Sequence, residues 1–477
     1  MEKKNENDVP ETLHGMTLGN IAEACGGTYI GAKEQEEQEI TGAVTDSRQV
    51  KTGYLFIPIR GARVDGHDFI PQVFEKGALA VLSEHKLENP AGPYILVDSS
   101  AEAMKKIAAF YRSQLTCKVV GITGSVGKTS TKEMIASVLS QHYRVLKTEG
   151  NFNNEIGLPL TIFKIRAEHE VAVLEMGISD FGEMHRLASM SRPDIGVITN
   201  IGLCHLENLG SREGILKAKT EMFDHLQPEG TVILNGDDDK LSTKREVNGK
   251  PVVFYGMDSD SGFGIEKSIY ATDVKNLGLK GMQAKIHTPS GSFTVQIPIP
   301  GEHNVYNALA GTAVGLALGL SLEEIERGIA GAKTIAGRSN ILHVNGMTVI
   351  DDCYNANPVS MKASIDVLAH IPGRRIAVLG DMAELGADER ELHHGVGDAI
   401  AQSGIDALFC AGVLAKEYAD AAAANPACDI RYFAAREEMI PQLLDYVKAG
   451  DNILVKASHS MEFPEVVQAL KDEFGCS

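Results

Sequence analysis

The chain has no basic run, no apolar stretch long enough to cross a bilayer, and no cysteine pair at metal-binding spacing. Each absence excludes something. With 45 Lys and Arg against 64 Asp and Glu, a net charge of −19 offers no electrostatic footprint for nucleic acid. The most apolar long stretch, Val305–Leu320, is broken by Asn307, Gly311, Gly315 and Gly319. It falls short of the ~20 residues a membrane helix needs and reads as a buried, closely packed helix. The seven cysteines (Cys25, Cys117, Cys204, Cys353, Cys410, Cys428, Cys476) are scattered, odd in number and without a Cys-x-x-Cys pair. That speaks against a zinc site and for a reducing compartment, each thiol serving as a small buried hydrophobe. The opening residues 1–8 are polar and lack the apolar region of a secretory signal, so the expected location is the cytoplasm, without membrane insertion.

What is present is an ordinary globular composition, 43% apolar and 23% charged over 477 residues. That length suggests about three domains of ~150 residues each. The local feature with the most chemical content is Val119-Val-Gly-Ile-Thr-Gly-Ser-Val-Gly-Lys-Thr-Ser-Thr-Lys132, a strand running into a phosphate-gripping loop and then a helix. Gly124 and Gly127 allow a tight turn whose amides face phosphate oxygens. Lys128 supplies a point charge for the β/γ-phosphates, Thr129 a hydroxyl for Mg²⁺, and the following helix its positive end. The general motif carries a further glycine five residues before the Gly-Lys pair; here that position is Ile122.

Hydrophobic periodicity divides the chain into three α/β segments, 1–115, 116–333 and 334–477. In the first, Thr17 reads as the N-cap of a helix ending at Gly26-Gly27. Short strands are expected at 28–30, 40–45, 55–59, 78–82 and 95–97, and a helix at 101–113. In the second, strands at 119–122, 171–175, 195–199 and 231–234 alternate with helices, the signature of a parallel sheet with crossover helices, and 252–300 reads as an antiparallel extension. The third has strands at 347–351, 375–379, 407–410, 430–433 and 452–456 with helices between.

Polar residues gather where these strands end, which is where open α/β sheets bind ligands. Glu175 closes 171–175 and can either hold the Mg²⁺ of Thr129 or cap its own turn. His205, after the next strand, is a second metal ligand or a structural histidine. Lys219 by itself reads as part of a solvated helix face. The amides of Asn151-Phe-Asn-Asn154 can bond their own backbone, a phosphate or a substrate. Asn304 and Asn307 open the apolar helix and can read adenine or cap the helix. In the third segment Arg338 suits a phosphate clamp. Asp351-Asp352-Cys-Tyr354-Asn355-Ala-Asn357-Pro358 and Leu379-Gly-Asp381-Met-Ala-Glu384 follow strands as site loops, and an Asp there can bond a ribose hydroxyl.

Taken in order, Gly-x-x-Gly-Lys-Thr (124–129), Asn-Phe-Asn-Asn-x-Ile-Gly-x-Pro (151–159), Leu-Glu-Met-Gly (174–177), Asn-Ile-Gly-x-x-His-Leu-Glu (200–207), Lys-Ala-Lys-x-Glu (217–221), Gly-x-His-Asn-x-x-Asn (301–307) and Gly-Arg (337–338) resemble the Mur ligase family. The resemblance covers essentially the whole chain after residue ~15. It implies three domains: an N-terminal α/β domain for a UDP-linked substrate, a central P-loop parallel-sheet ATPase domain, and a C-terminal Rossmann-like α/β domain that takes the incoming amine and closes over ATP. The loops at 351–361 and 379–386 narrow it to the member that adds D-alanyl-D-alanine to UDP-N-acetylmuramoyl-tripeptide, ATP-dependent and ADP-forming, through an acyl phosphate. A monomer is expected.

The resemblance further implies roles by position. Gly124, Ser125, Val126, Gly127, Lys128, Thr129 and Ser130 would hold the ATP phosphates. Thr129 and Glu175 would hold one Mg²⁺ and His205 a second. Asn304 and Asn307 would contact adenine, Arg338 the phosphates and Asp352 the ribose. Lys219 matches a lysine carbamylated in several relatives. Ser47, Arg48, Asp65 and His67 fall in the segment that accepts the UDP-sugar; Asn153, Asn154, Asn355, Asn357 and Asp381 are further expected substrate contacts. The missing first P-loop glycine is the family's own form. Lys456-Ala457-Ser458-His459 departs from the usual Lys-Gly-Ser-Arg, which removes a carboxylate contact expected from the arginine. The other readings are a different amino-acid or folylpolyglutamate ligase, or a P-loop kinase or nucleotide switch, which needs no second amine.

Overall fold

The computed structural model describes residues 12–475 apart from 62 and 261; the polar opening stretch and Cys476 lie outside the described residues. Among the described residues three large β-sheets follow one another along the chain, each within one of the segments above, with a small two-stranded ribbon, Glu246–Val247 and Lys250–Pro251, in the second. The first has five short strands in the order Thr28–Ile30, Tyr94–Leu96, Ala80–Ser83, Tyr54–Phe56, Gly42–Val44. It is parallel except where Thr28–Ile30 runs against Tyr94–Leu96. Its first helix, Leu18–Cys25, starts and stops as its sequence dictates. Thr17 accepts a hydrogen bond from the Asn20 amide, and Gly26 takes a left-handed φ of +72°.

The central sheet has nine strands. Lys118–Thr123, which leads into the phosphate loop, lies between Val171–Glu175 and Ile195–Ile198, parallel to both. The sheet continues through Thr231–Asn235 and Val253–Met257 to Ile269–Asn276, all parallel. Only then does it turn into an antiparallel meander, Ile269–Asn276, Met282–Thr288 and Gly291–Ile297. The antiparallel extension expected from residue 252 therefore begins later, because Val253–Met257 is still a buried central strand. The opposite edge is Val145–Lys147, a three-residue strand too short to show any alternation in sequence. Consecutive residues of Lys118–Thr123 point to opposite apolar faces. Val120 and Ile122 meet Met134 and Ile135 of helix Lys128–Leu139, with Val305 and Leu309 of helix His303–Ala317 behind; Val119 faces Leu174, Met184 and Leu187.

The third sheet has six strands in the order Asn340–Val344, Met347–Asp351, Asp451–Lys456, Arg374–Gly380, Ala407–Ala411, Asp429–Phe433. All run parallel except the edge strand Asn340–Val344, which the sequence pattern does not announce. Helices cover both of its apolar faces. Among the described residues no helix is long and apolar enough to cross a membrane. Six cysteines are free; five are buried, as their scatter suggested, and Cys204 is half-buried.

Candidate active site

The strand Lys118–Thr123 is the point where the sheet order reverses, so the loop after it opens onto the crevice at the strands' carboxyl ends. Gly124 packs so closely there that a Cβ would lie 1.9 Å from Thr199 Oγ1. Gly127, at φ +81°, begins helix Lys128–Leu139, and no side chain caps that helix. Its first amides are therefore open to an anion. Two residues to which motif reading gave no role, Thr199 and Asn200, hold the loop in shape. Asn200 Oδ1 accepts from the Val126 amide and Asn200 Nδ2 donates to the Val126 carbonyl, both at 2.9 Å, while Thr199 Oγ1 donates to the same carbonyl at 2.7 Å. Lys128 Nζ donates to the Gly124 carbonyl at 3.0 Å, folded back over the loop.

Glu175 is 2% exposed, and each oxygen of its carboxylate accepts one hydrogen bond. It accepts from Thr129 Oγ1 at 2.8 Å and Asn153 Nδ2 at 2.9 Å, and the Lys132 ammonium stands 3.9 Å away. Lys132 is buried and also donates to the Thr148 carbonyl at 2.6 Å, an unforeseen counter-charge to Glu175. Among the described residues no three His, Cys, Asp or Glu side chains converge. A hard cation seated on Thr129 and Glu175 would thus draw its other ligands from phosphate oxygens and water, the usual habit of Mg²⁺. Both donors are oxygens and adjoin the loop, so the residues present fit that ion.

His205 also lines this wall, and the buried Lys219 lies close enough to act on it electrostatically. Burial, together with Lys128 and Lys219, holds the His205 imidazole below its ordinary range, with Glu384 opposing. The Lys219 amine is 1% exposed, and burial followed by the nearby Lys128 charge lowers it to about 7. The expectation of a solvated helix face fails here: among the described residues Lys219 is buried without an ion pair, and burial favours its neutral form.

The third segment supplies the facing wall. Its lining includes Arg338, Asp352, Tyr354, Asn355, Asn357 and Glu384, and the cleft between the walls encloses about 800 Å³. The Arg338 guanidinium stacks on the Tyr354 ring at 4.0 Å. Asp352 Oδ1 accepts from the Ser339 amide at 2.9 Å, and its Oδ2 from Ser364 Oγ and the buried Lys456 Nζ, both at 2.6 Å. One acceptor position on Oδ1 remains. Asn357 caps helix Pro358–Ala369 through the Ser360 amide, and Asn355 Oδ1 accepts from the Ala356 amide. Asn154 likewise accepts from the Gly157 amide at the start of helix Gly157–Ile162. These amides shape the loops as well as line the cleft.

Other expected residues are not brought to the cleft. Asn304 Nδ2 donates to the Pro300 carbonyl and meets His303 Nε2, and its Oδ1 accepts from Asn307 Nδ2. It therefore stands behind Asn307, which does line the cleft. Asp381 is a helix cap: its carboxylate accepts from the Val413 and Ala415 amides at 2.9 and 2.6 Å. His67 is buried with both ring nitrogens committed, Nδ1 to Asp65 at 2.6 Å and Nε2 accepting from the Glu84 amide at 3.2 Å. Ser47, Arg48, Asp65 and His67 all belong to the first domain, where Arg48 is exposed and forks onto Asp46.

Three family models match the chain: Mur ligase family, catalytic domain, over residues 39–112; Mur ligase middle domain over 122–315; and Mur ligase, glutamate ligase domain, over 337–459. A relative from Bacillus subtilis (strain 168), named UDP-N-acetylmuramoyl-tripeptide–D-alanyl-D-alanine ligase, is 38% identical over 95% of this chain and 98% of its own. Among solved structures, a crystal structure of MurF from Acinetobacter baumannii matches with a TM-score of 0.86 at 33% identity, covering 97% of this chain and 100% of that one. MurF ligase from Thermotoga maritima in complex with ADP matches with a TM-score of 0.79 at 30% identity, over 91% and 97% of the two chains.

Proposed function

The chain belongs to the Mur ligase family, and from that premise we propose that it joins D-alanyl-D-alanine to UDP-N-acetylmuramoyl-tripeptide with conversion of ATP to ADP. The observation that carries the reading is near-complete coverage of a relative named for this reaction, with a phosphate loop facing a third-domain wall across one cleft.

The open amides of helix Lys128–Leu139, Lys128 and Arg338 bind the triphosphate. Asn307 faces the base, held from behind by Asn304 and by Thr131 Oγ1 at 2.7 Å, and Asp352 accepts from a ribose hydroxyl. A terminal carboxylate oxygen of the tripeptide attacks the γ-phosphorus and ADP leaves. The dipeptide amine then attacks the acyl carbon, and the carbon–oxygen bond breaks to release phosphate. Positioning and charge neutralisation carry most of the rate, since phosphoryl transfer asks little covalent help of a protein. Two Mg²⁺ ions, one on Thr129 and Glu175 and one on His205, would supply Lewis-acid neutralisation of the phosphates. Lys219, neutral in part, is ready to take up CO₂ as a carbamate, an oxygen donor beside His205; density showing a free amine with both metals bound would remove that assignment.

The first domain accepts the UDP-sugar, with Ser47, Arg48 and Asp65 as contacts and His67 bracing Asp65. Asn153, Asn355 and Asn357 face the peptide. We read the enzyme as a monomer that works in the cytoplasm, where ATP is supplied. The decisive assay is phosphate release with ATP, UDP-N-acetylmuramoyl-tripeptide and D-alanyl-D-alanine, omitting each in turn. Release is expected only with all three; release independent of the dipeptide sinks the ligase reading in favour of a kinase or switch.

A further inference from the structure

Glu384 stands on the turn after strand Arg374–Gly380, and that turn is tied at three successive residues. Asp381 caps the helix Ala415–Ala422, the Met382 amide donates to Nε2 of the buried His393 at 2.9 Å, and the Ala383 amide donates to Ser458 Oγ at 2.8 Å. Met382 and Leu385 are buried on either side of the exposed segment. Glu384 itself takes a left-handed φ of +61°, uncommon for a residue with a side chain. Its side chain is 68% exposed, yet it reaches from the third domain across the cleft to His205 Nδ1 at 3.0 Å. His205 also stands in left-handed backbone, at φ +52°. Two residues in unusual backbone, on different domains, meet tip to tip at the phosphate site. Chance surface pairing gives no reason for either conformation.

A carboxylate can only accept, so the Glu384 charge 3.0 Å from Nδ1 favours the form of His205 that carries its proton there. In the neutral ring that leaves the Nε2 lone pair free. A carboxylate behind an imidazole is the common means of fixing the tautomer and orientation of a ligating histidine. We propose that Glu384 is a positioning residue that presents His205 Nε2 to the phosphate site, so that the site is complete only when the third domain is seated. This rests on the reading of His205 as a metal ligand. It extends that reading by giving the third domain a direct hand in assembling a site on the second.

The test uses the full chain labelled with ¹⁵N-histidine and free of metal, the His205 signals being assigned by their loss in His205→Gln. Wild type is expected to show His205 protonated at Nδ1, and Glu384→Ala to lose that preference with melting shifted by no more than about a degree, as for any exposed pair. A wild-type ring protonated at Nε2, or an unchanged tautomer in Glu384→Ala, overturns the inference. The second readout is Mn²⁺ affinity in the presence of a non-hydrolysable ATP analogue, read by electron paramagnetic resonance. Glu384→Ala and His205→Gln are each expected to weaken it by about 10–100-fold, and the double variant no further than the weaker single. Additive losses would mean that Glu384 acts without His205 and would overturn the inference. Should His205→Gln alone leave Mn²⁺ affinity unchanged, the metal reading of His205 falls, and the tautomer measurement still judges Glu384 by itself.

Discussion

The two joints of this chain are built from different materials. Where the first domain meets the second, one apolar core runs through both. Met104, Ile107, Ala108 and Tyr111 of helix Ser100–Gln114 pack with Leu174, Met184 and Leu187 of the central domain. The buried Arg112 stitches the seam, Nε donating to the Ser191 carbonyl at 2.8 Å. Where the second domain meets the third, a polar cleft of about 800 Å³ opens, bridged by the His205–Glu384 contact. At about 25 cal/mol per Å² the first joint is held shut by burial, whereas an exposed ion pair is worth about 0–1 kcal/mol. The acceptor domain is therefore fixed to the ATPase, whereas the third domain, on which the half-buried Leu279 of the second makes an apolar contact beside the ion pair, can part from it at smaller cost to admit a triphosphate.

The sharpest way to test that contrast is to damage the cleft and find the fold untouched. Lys128 is half-buried and contacts the Gly124 carbonyl, not the core. Lys128→Ala should lower turnover by at least about 10³-fold, some 4 kcal/mol of transition-state stabilisation. Melting and proteolysis should match wild type. Turnover near wild type would show that the loop's backbone alone grips the phosphates.

The reverse result is expected at the shut joint. Arg112→Ala strips donors from the carbonyls of Ser191, Leu115 and Arg192 and removes a cation 3.5 Å from Asp194. The loss should be about 3 kcal/mol, seen as earlier unfolding of the first two domains together, with turnover per folded molecule unchanged. If the first domain alone melts early, the shared core does not bind the two into one unit.

Lys219 probes the cleft through pH. Its amine titrates near 7 when folded, against an ordinary value of 10.5. Between those values the unfolded chain binds a proton that the folded chain does not, so stability must rise as pH rises. The slope from this one group is at most about 1.4 kcal/mol per pH unit. In CO₂-free buffer, wild type should show that rise from pH 7 to 10, and Lys219→Met should flatten it. Equal slopes would mean that Lys219 is solvated in solution.

How much of this was legible in sequence depends on the range of the interaction. The phosphate loop and Glu175 could be read because a strand end, a turn glycine and a helix start lie within a few residues of one another. Asn200 could not, since its role is to clamp Val126, a partner far off in sequence. Lys219 looked solvated because helical spacing does not reveal what covers the helix. Asp381 looked like a ligand carboxylate because an acid after an apolar strand is also what a helix cap looks like when the helix, Ala415–Ala422, lies over thirty residues away. The short edge strands Val145–Lys147 and Asn340–Val344 escaped for the opposite reason: their partners, not their own pattern, make them strands.

The smallest expected effect separates apolar burial from hydrogen bonding at the shut joint. Tyr111 is 3% exposed, its ring lies 6.5 Å from that of Phe163, and its hydroxyl donates to the Ile165 carbonyl at 2.6 Å. That carbonyl also accepts from Arg166 Nη1 at 3.0 Å, so it keeps a partner when the hydroxyl is gone. Tyr111→Phe preserves the ring's buried area and should cost about 1 kcal/mol or less, read as a small shift in the denaturant midpoint of the joined domains, with the KM for ATP unchanged. A loss of several kcal/mol would place the joint's strength in a few hydrogen bonds. It would then resemble the polar joint across the cleft more than its continuous core implies.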